Sequence, residues 1–199
     1  MKDQGKYQPL SYFQLMEVTL RELLVEKGIL SEEEIAQEVE AMRNRGYERG
    51  SRVVAHAWLD PGFKARLLQN GTQACEELGL EIPGLKLLVV ENTNEVHNAI
   101  VCTLCSCYPR MLLGIPPDWY KSRSYRSRMV REPRAVLNEF GLSIPEQVQI
   151  RIHDSSADMR YMVLPMRPAG TETWSEERLA GLVNRDCLLG VAVPNGPKD

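Results

Sequence analysis

The sequence predicts an α+β chain, with helices first and a small mixed region after them. Three observations carry this. Residues 11–78 show helical spacing and helix caps. Short apolar or alternating runs near 85–90, 96–102, 148–153 and 161–164 read as extended. Three of the five cysteines, Cys102, Cys105 and Cys107, fall within six residues in the middle of that second region.

The elements follow in chain order. In SYFQLMEVTLRELLVEKG (11–28), Leu20, Leu23, Leu24 and Lys27 keep helical spacing, and Gly28 supplies the left-handed stop. A second helix starts at Ser31, which makes a capping-box pattern with Glu34; Ile35, Val39 and Met42 then share one face. Two charged helices joined by a short loop describe either an arm that packs on another body or a helical hairpin on its own domain. RGYERGSR (45–52) is a glycine-bearing break, so the expected division is an arm, 1–50, and a body, 51–199. Asp60-Pro61 reads as a cap followed by proline in the first turn of a helix ending near Gly71. Another short helix follows Thr72, with Cys75 as a core residue. Leu85–Val90 is a buried strand by its apolar run, and VHNAIVC leads extended into the cysteines. Pro133 opens a helix that ends near Gly141. Val148, Ile150 and Ile152 alternate with polar residues, HDSSAD turns the chain, and YMVL (161–164) follows, which predicts a hairpin. Ser175 with Glu176 and Glu177 starts a late helix through Val183.

Composition narrows the function. The 199 residues carry 24 Lys plus Arg against 27 Asp plus Glu, a net charge of −3, with 43% hydrophobic and 26% charged residues. Those values exclude a disordered chain and give no support for a nucleic-acid binder as a whole. KSRSYRSRMVREPR (121–134) holds six basic residues and one acid, but no reader motif accompanies it, so a solvated or subunit-facing surface is expected. No apolar run approaches the length needed to cross a bilayer, and MKDQGKYQPL has no apolar signal core, which predicts a cytoplasmic protein. An odd cysteine count is a poor disulfide framework there.

The chemistry rests on VCTLCSCYP (101–109). Cys102, Cys105 and Cys107 offer three thiolates from one loop. A structural zinc site needs a fourth ligand, and His56, His97, His153, Cys75 and Cys187 all lack a second-pair spacing. In another coordination, a metal gripped by Cys105 and Cys107 lies close to the amide nitrogens of Ser106 and Cys107. Were those amides to lose their protons, two sulfurs and two nitrogens would form a square, with Cys102 beneath it and one position open. Peptide amides resist deprotonation, so the ion must be a strong Lewis acid. Trivalent low-spin cobalt or iron suits this better than zinc, and soft thiolates disfavour magnesium or calcium.

CTLCSC resembles the metal claw of the nitrile hydratase alpha subunit family. The resemblance extends through RVVAHAWLDPGFKARLL, VVENTNEVHNAIVCTLCSCYP, YRSRMVREPRAVLNEFG and DSSADMRYMVLPMRPAGTETWSEERLAGLV, roughly residues 15–193. The thiocyanate hydrolase gamma subunit and the toyocamycin-type nitrile hydratase alpha chain look alike in fold and claw. The resemblance implies an N-terminal helical arm that wraps a partner, and a layered α/β body with the claw loop at its surface. It implies that Cys102 stays a thiolate, Cys105 becomes a sulfinate and Cys107 a sulfenate. The backbone nitrogens of Ser106 and Cys107 would complete the metal ligands. Thr103 matches the cobalt form, where the iron form has serine, so Co(III) is expected, with Fe(III) as the alternative. The family reaction hydrates a nitrile to an amide, a hydro-lyase activity. The Cys107 sulfenate oxygen would serve as nucleophile or as base for water. The implied partners are a beta subunit, which brings arginines to the oxidised sulfurs, and a metal-loading activator protein. The alternative is a thiocyanate hydrolase subunit making carbonyl sulfide and ammonia.

Single residues refine this. Many simple nitrile hydratases resemble Tyr-Pro-Trp after the claw, and here Arg110 stands in the third place. Its guanidinium either favours an anionic or polar substrate or points into a subunit interface. Asp154, Ser155 and Arg160 are candidates to orient the site from a turn, or else form an Asx-type turn with an ordinary ion pair. Glu91 and Asn92 stand likewise. Trp58, Trp119 and Trp174 are expected in packing or interfaces, and Cys187 as a buried thiol.

Overall fold

The computed structural model describes residues 11–196, which divide after Met42 into two compact units. The first holds α1 (Tyr12–Glu26) and most of α2 (Glu32–Asn44). The Ser11 side chain accepts from the Gln14 backbone while the Gln14 side chain accepts from Ser11 N–H, a complete capping box. Ser31 and Glu34 make the same reciprocal pair ahead of α2. Gly28 is left-handed, as its stop role requires. No residue of α1 is buried, and Phe13 is 79% exposed beside exposed Tyr12, Leu15, Met16 and Leu20. An amphipathic helix left this open lacks the burial that normally stabilises one.

The second unit begins with α3 (Glu48–Leu59), α4 (Pro61–Gln69) and α5 (Gly71–Glu77). Asp60 accepts from the amides of Gly62 and Phe63 and places Pro61 in the first turn of α4, as its sequence predicts. The glycine-bearing stretch 45–52 is not a break throughout, because α3 runs through Gly50. A Cβ there would press on the side chains of Leu188 and Leu113, so that glycine serves packing. Strands β1 (Lys86–Glu91) and β2 (Val96–Val101) follow. Then come four short helices, α6 (Arg110–Leu113), α7 (Asp118–Lys121), α8 (Arg123–Arg131) and α9 (Pro133–Glu139). The chain finishes with β3 (Gln149–Asp154), β4 (Met159–Leu164), α10 (Glu176–Ala180) and α11 (Arg185–Leu189). Among the described residues no helix is long and apolar enough to cross a membrane.

The strands pair in a way that local patterning does not give. β1 pairs in parallel with β4, Leu88 opposite Tyr161, and β2 in parallel with β3, Ala99 opposite Ile152. The expected β3–β4 hairpin is therefore corrected: the turn exists, but its two strands belong to different sheets. Burial explains the choice. Met162, Val163 and Leu164 are fully covered and need the apolar Leu87 and Val89 beside them, whereas β3 is half-exposed along its length. The core joins both sheets to Val53 and Val54 of α3, Leu67 of α4, Tyr125 and Met129 of α8 and Leu188 of α11.

A buried polar network spans the strand ends away from the cysteines. His97 Nε2 faces the Gly190 carbonyl at 2.8 Å, and its Nδ1 faces the Asn92 amide nitrogen at 3.3 Å. Gly190 has φ +78° and sits against the Asn98 backbone, where a Cβ would overlap the carbonyl. Burial pulls the His97 pKa below its ordinary value, with the Gly190 carbonyl opposing it. Burial and the Arg151 charge do the same to His153. A histidine whose folded pKa is depressed binds its proton more readily when unfolded, so stability is full above the unfolded pKa and is lost as pH falls below it. The melting temperature is expected to fall between about pH 7 and pH 5, and His97→Gln should flatten that dependence in thermal melts of the full chain. An unchanged slope would contradict the assignment.

Candidate metal centre

The parallel register builds the site. β2 ends at Val101, opposite Asp154 at the end of β3. The chain leaves the strand into the loop Cys102–Pro109, which closes into α6 at Arg110. Cys102 is fully buried, Cys105 exposed and Cys107 intermediate. The Cys105 sulfur lies 3.3 Å from that of Cys102 and 3.2 Å from that of Cys107, and all three fall within 4.8 Å of one another. The Cys105 amide donates to the Cys102 sulfur at 3.2 Å, which folds the loop around the trio.

The loop is held from several sides. Asp154 accepts from Thr103 N at 2.9 Å and from Thr103 Oγ1 at 2.5 Å. The Tyr120 hydroxyl donates to the Cys107 carbonyl at 2.8 Å, and the Tyr125 hydroxyl to the Ile100 carbonyl at 2.7 Å. Arg126 Nη1 donates to the Thr103 carbonyl at 3.3 Å. The anchors come from three elements, β3, α7 and α8, so the loop is fixed by tertiary contacts.

Clustering splits the thiols. Hydrogen bonds from the Cys107 and Cys102 thiols, helped by the amides of Ser106 and Cys107, draw Cys105 down to about 7. Burial, followed by the hydrogen bond with Cys105, pushes Cys107 up to about 12, while the Arg160 charge pulls it the other way. One thiolate forms readily near neutrality, and its charge disfavours a second. A cation among the three sulfurs would remove that penalty.

These donors fit a transition metal. Among the described residues, the group with ligand atoms close enough to share an ion is Cys102, Cys105 and Cys107, with no histidine or carboxylate in it. The fourth ligands considered for zinc lie elsewhere. His56 pairs with Glu176 at 2.9 Å, His97 faces Gly190, His153 donates to Asn98 Oδ1 at 2.8 Å, and Cys75 and Cys187 are buried in the core. A tetrahedral zinc site would therefore be one protein ligand short. Ser106 and Cys107 carry the backbone nitrogens of the short segment that links the Cys105 and Cys107 sulfurs.

A cavity of about 370 Å³ opens on Cys105 and Cys107, lined also by Ser106, Tyr108, Met111 and Leu85, with Arg110 and Arg160. Arg160 hydrogen-bonds the Ser156 carbonyl and holds its charge toward Cys107. Asp154 and Arg160 are thus brought to the loop, and Arg110 to the cavity. Ser155 is buried behind them. Glu91 and Asn92 are not brought there: Glu91 pairs with Lys64, and Asn92 accepts from Asn98 N at 2.7 Å beside His97. Sequence reasoning misses Tyr120, Tyr125 and Arg126 as loop anchors. A tyrosine reaching across the fold leaves no local spacing, although Arg126 lies in a stretch already marked by its charge.

Fold and site together define a mixed helix-and-strand chain with three cysteines close enough to share one metal ion. Residues 11–192 match the family described as nitrile hydratase, alpha chain, and the chain belongs to that family. It is 53% identical over 177 residues to the low-molecular-weight cobalt-containing nitrile hydratase subunit alpha of Rhodococcus rhodochrous, covering 88% of this chain and 86% of that one. The thiocyanate hydrolase subunit gamma of Thiobacillus thioparus is 43% identical over 197 residues, covering 93% and 81%. Among solved structures, a double mutant of the Fe-type nitrile hydratase from Comamonas testosteroni Ni1 superposes with TM-score 0.87 at 44% identity, covering 96% of this chain and 94% of that one. A recombinant thiocyanate hydrolase with partially modified cobalt centres gives 0.86 at 43%, covering 94% and 92%.

Proposed function

We propose that this chain is the metal-bearing alpha subunit of a cobalt-type nitrile hydratase, which adds water across a nitrile to give the amide. The observation that carries the reading is the convergence of three sulfurs within 4.8 Å in a loop of this family. Cys102, Cys105 and Cys107 would hold the ion through sulfur, and Ser106 and Cys107 through their backbone nitrogens. When bound, trivalent cobalt (iron in the alternative form) would supply Lewis acidity toward the nitrile or a water molecule.

The chain's own residues account for the rest. Cys105 oxidised to sulfinate and Cys107 to sulfenate stand on the ordinary thiol oxidation ladder and need cationic neighbours. Arg160, which lines the same cavity as Cys107 and whose charge favours its thiolate, would offset the charge of a sulfenate oxygen there. That oxygen would act as nucleophile toward the nitrile or as base for the attacking water, and the imidic acid so formed would relax to the amide. Asp154 and Tyr120 keep the loop in place during this step. The open apolar face of α1 suits a beta subunit, which would complete the enzyme.

Metal analysis of the chain purified with its partner should give cobalt near one per chain. Intact mass should exceed the sequence mass by three oxygens, about 48 Da, for one sulfinate plus one sulfenate. Zinc with three unmodified thiols would refute the reading.

A second reading, a subunit hydrolysing thiocyanate to carbonyl sulfide and ammonia, is favoured by one observation: two guanidiniums, Arg110 and Arg160, line the cysteine cavity. Turnover of neutral nitriles against thiocyanate separates the two. Arg110→Leu should lower kcat/KM for an anionic substrate by about tenfold, the value of a charge-assisted hydrogen bond, and leave neutral nitriles nearly unchanged. Equal loss on both classes would place Arg110 outside substrate recognition.

A further inference from the structure

The six basic residues of 121–134 divide into two groups of three. Lys121 pairs with Asp118, Arg128 with Glu132 and Glu139, and Arg134 donates to the carbonyls of Ile144, Pro145 and Val148. Arg123, Arg126 and Arg131 have no carboxylate partner among the described residues. Those three, with Ser127, Val130 and Thr103, line one groove of about 570 Å³. Positions 123, 126, 127, 130 and 131 follow the spacing of a single helix face. The opposite side of α8 buries Tyr125 and Met129, so the basic face is turned outward by the core. Of the five donors on Arg126, one is engaged, by the Thr103 carbonyl, and its buried Nε has no acceptor. Arg131 Nε is tied to the Ser127 carbonyl at 3.1 Å, which fixes its stem and leaves its terminal nitrogens free.

We propose that this groove is a binding site for a doubly charged oxyanion of the phosphate class, separate from the cysteine cavity. Three unneutralised guanidiniums on one face suit a dianion better than a single carboxylate, and guanidinium forks match tetrahedral oxyanions. The groove touches the cysteine loop through Thr103, the residue after Cys102, whose amide and hydroxyl Asp154 accepts. An anion on Arg126 therefore bears on the loop, and occupancy tightens residues 103–105. This inference does not rest on the catalytic reading.

The test is calorimetric titration of inorganic phosphate into the full-length chain as purified, at ionic strength held constant with chloride. Saturable binding is expected. The double variant Arg123→Ala/Arg131→Ala should weaken it by about tenfold or more, given the worth of hydrogen bonds to charged groups. Lys121→Ala and Arg110→Ala should leave it nearly unchanged. Hydrogen exchange at amides 103–105 should slow with phosphate in the parent chain and not in the double variant. Heat no greater than chloride gives, binding that survives the double variant, or binding abolished by Arg110→Ala would each overturn the site. Unaltered exchange at 103–105 despite binding would overturn its link to the loop.

Discussion

Cys102→Ala is expected to leave the chain folded and unable to keep its metal. Cys102 is the buried member of the trio, and its sulfur both neighbours that of Cys105 and accepts the Cys105 amide. Removing it deletes one thiolate ligand and the contact that curls the loop. Each 1.4 kcal/mol lost is a factor of about ten in affinity, so cobalt content in the purified complex should drop from near one per chain to below about a tenth. Nitrile turnover should vanish with it. The fold should survive, because trimming a small buried side chain costs on the order of 1 kcal/mol. Cys75→Ala and Cys187→Ala are the controls. Both thiols are buried away from the trio, and burial pushes Cys75 up to about 12, so neither offers a ready thiolate. They should cost stability and spare the metal. Elemental analysis beside thermal melts of all three variants checks this.

The second large effect is expected at Asp154. Its carboxylate takes both the amide and the hydroxyl of Thr103, and the β2–β3 register puts it there. Residues that orient a metal's ligands change affinity or activity by about 10–100-fold when removed. Asp154→Ala should fall in that range, measured as the rate of cobalt loss to a chelator and as kcat. Asp154→Asn keeps one acceptor for the Thr103 amide and should lie between. Because Asp154 sits at an exposed strand end, the melting temperature should move little. A fall in melting temperature that tracks the activity loss would mark Asp154 as a folding residue instead.

What could be read from the sequence was local. Three cysteines in six residues point to a metal loop without any knowledge of the fold. Ser31, Asp60 and Ser175 announce helix starts because a cap acts within three residues of itself. The strands were legible from their apolar runs, but their partners were not, since pairing depended on which of four short strands the core could cover. The helix α3 was hidden by Gly50, whose reason is the pressure of Leu188 from the far end of the chain. The helix α8 could be read as charge but not as a helix, because only Tyr125 and Met129 face the core between arginines. Tyr120 meets the loop across the fold, and no spacing within the loop names it, whereas Asp154 is singled out through the family resemblance.

The central claim is that Cys102, Cys105 and Cys107 hold one trivalent ion with the backbone nitrogens of Ser106 and Cys107. X-ray absorption at the cobalt edge, on the mature chain purified with its partner, tests it most directly. Low-spin Co(III) with three sulfur and two nitrogen neighbours is expected. A site holding zinc, or cobalt bound through sulfur alone with no nitrogen shell, would contradict it.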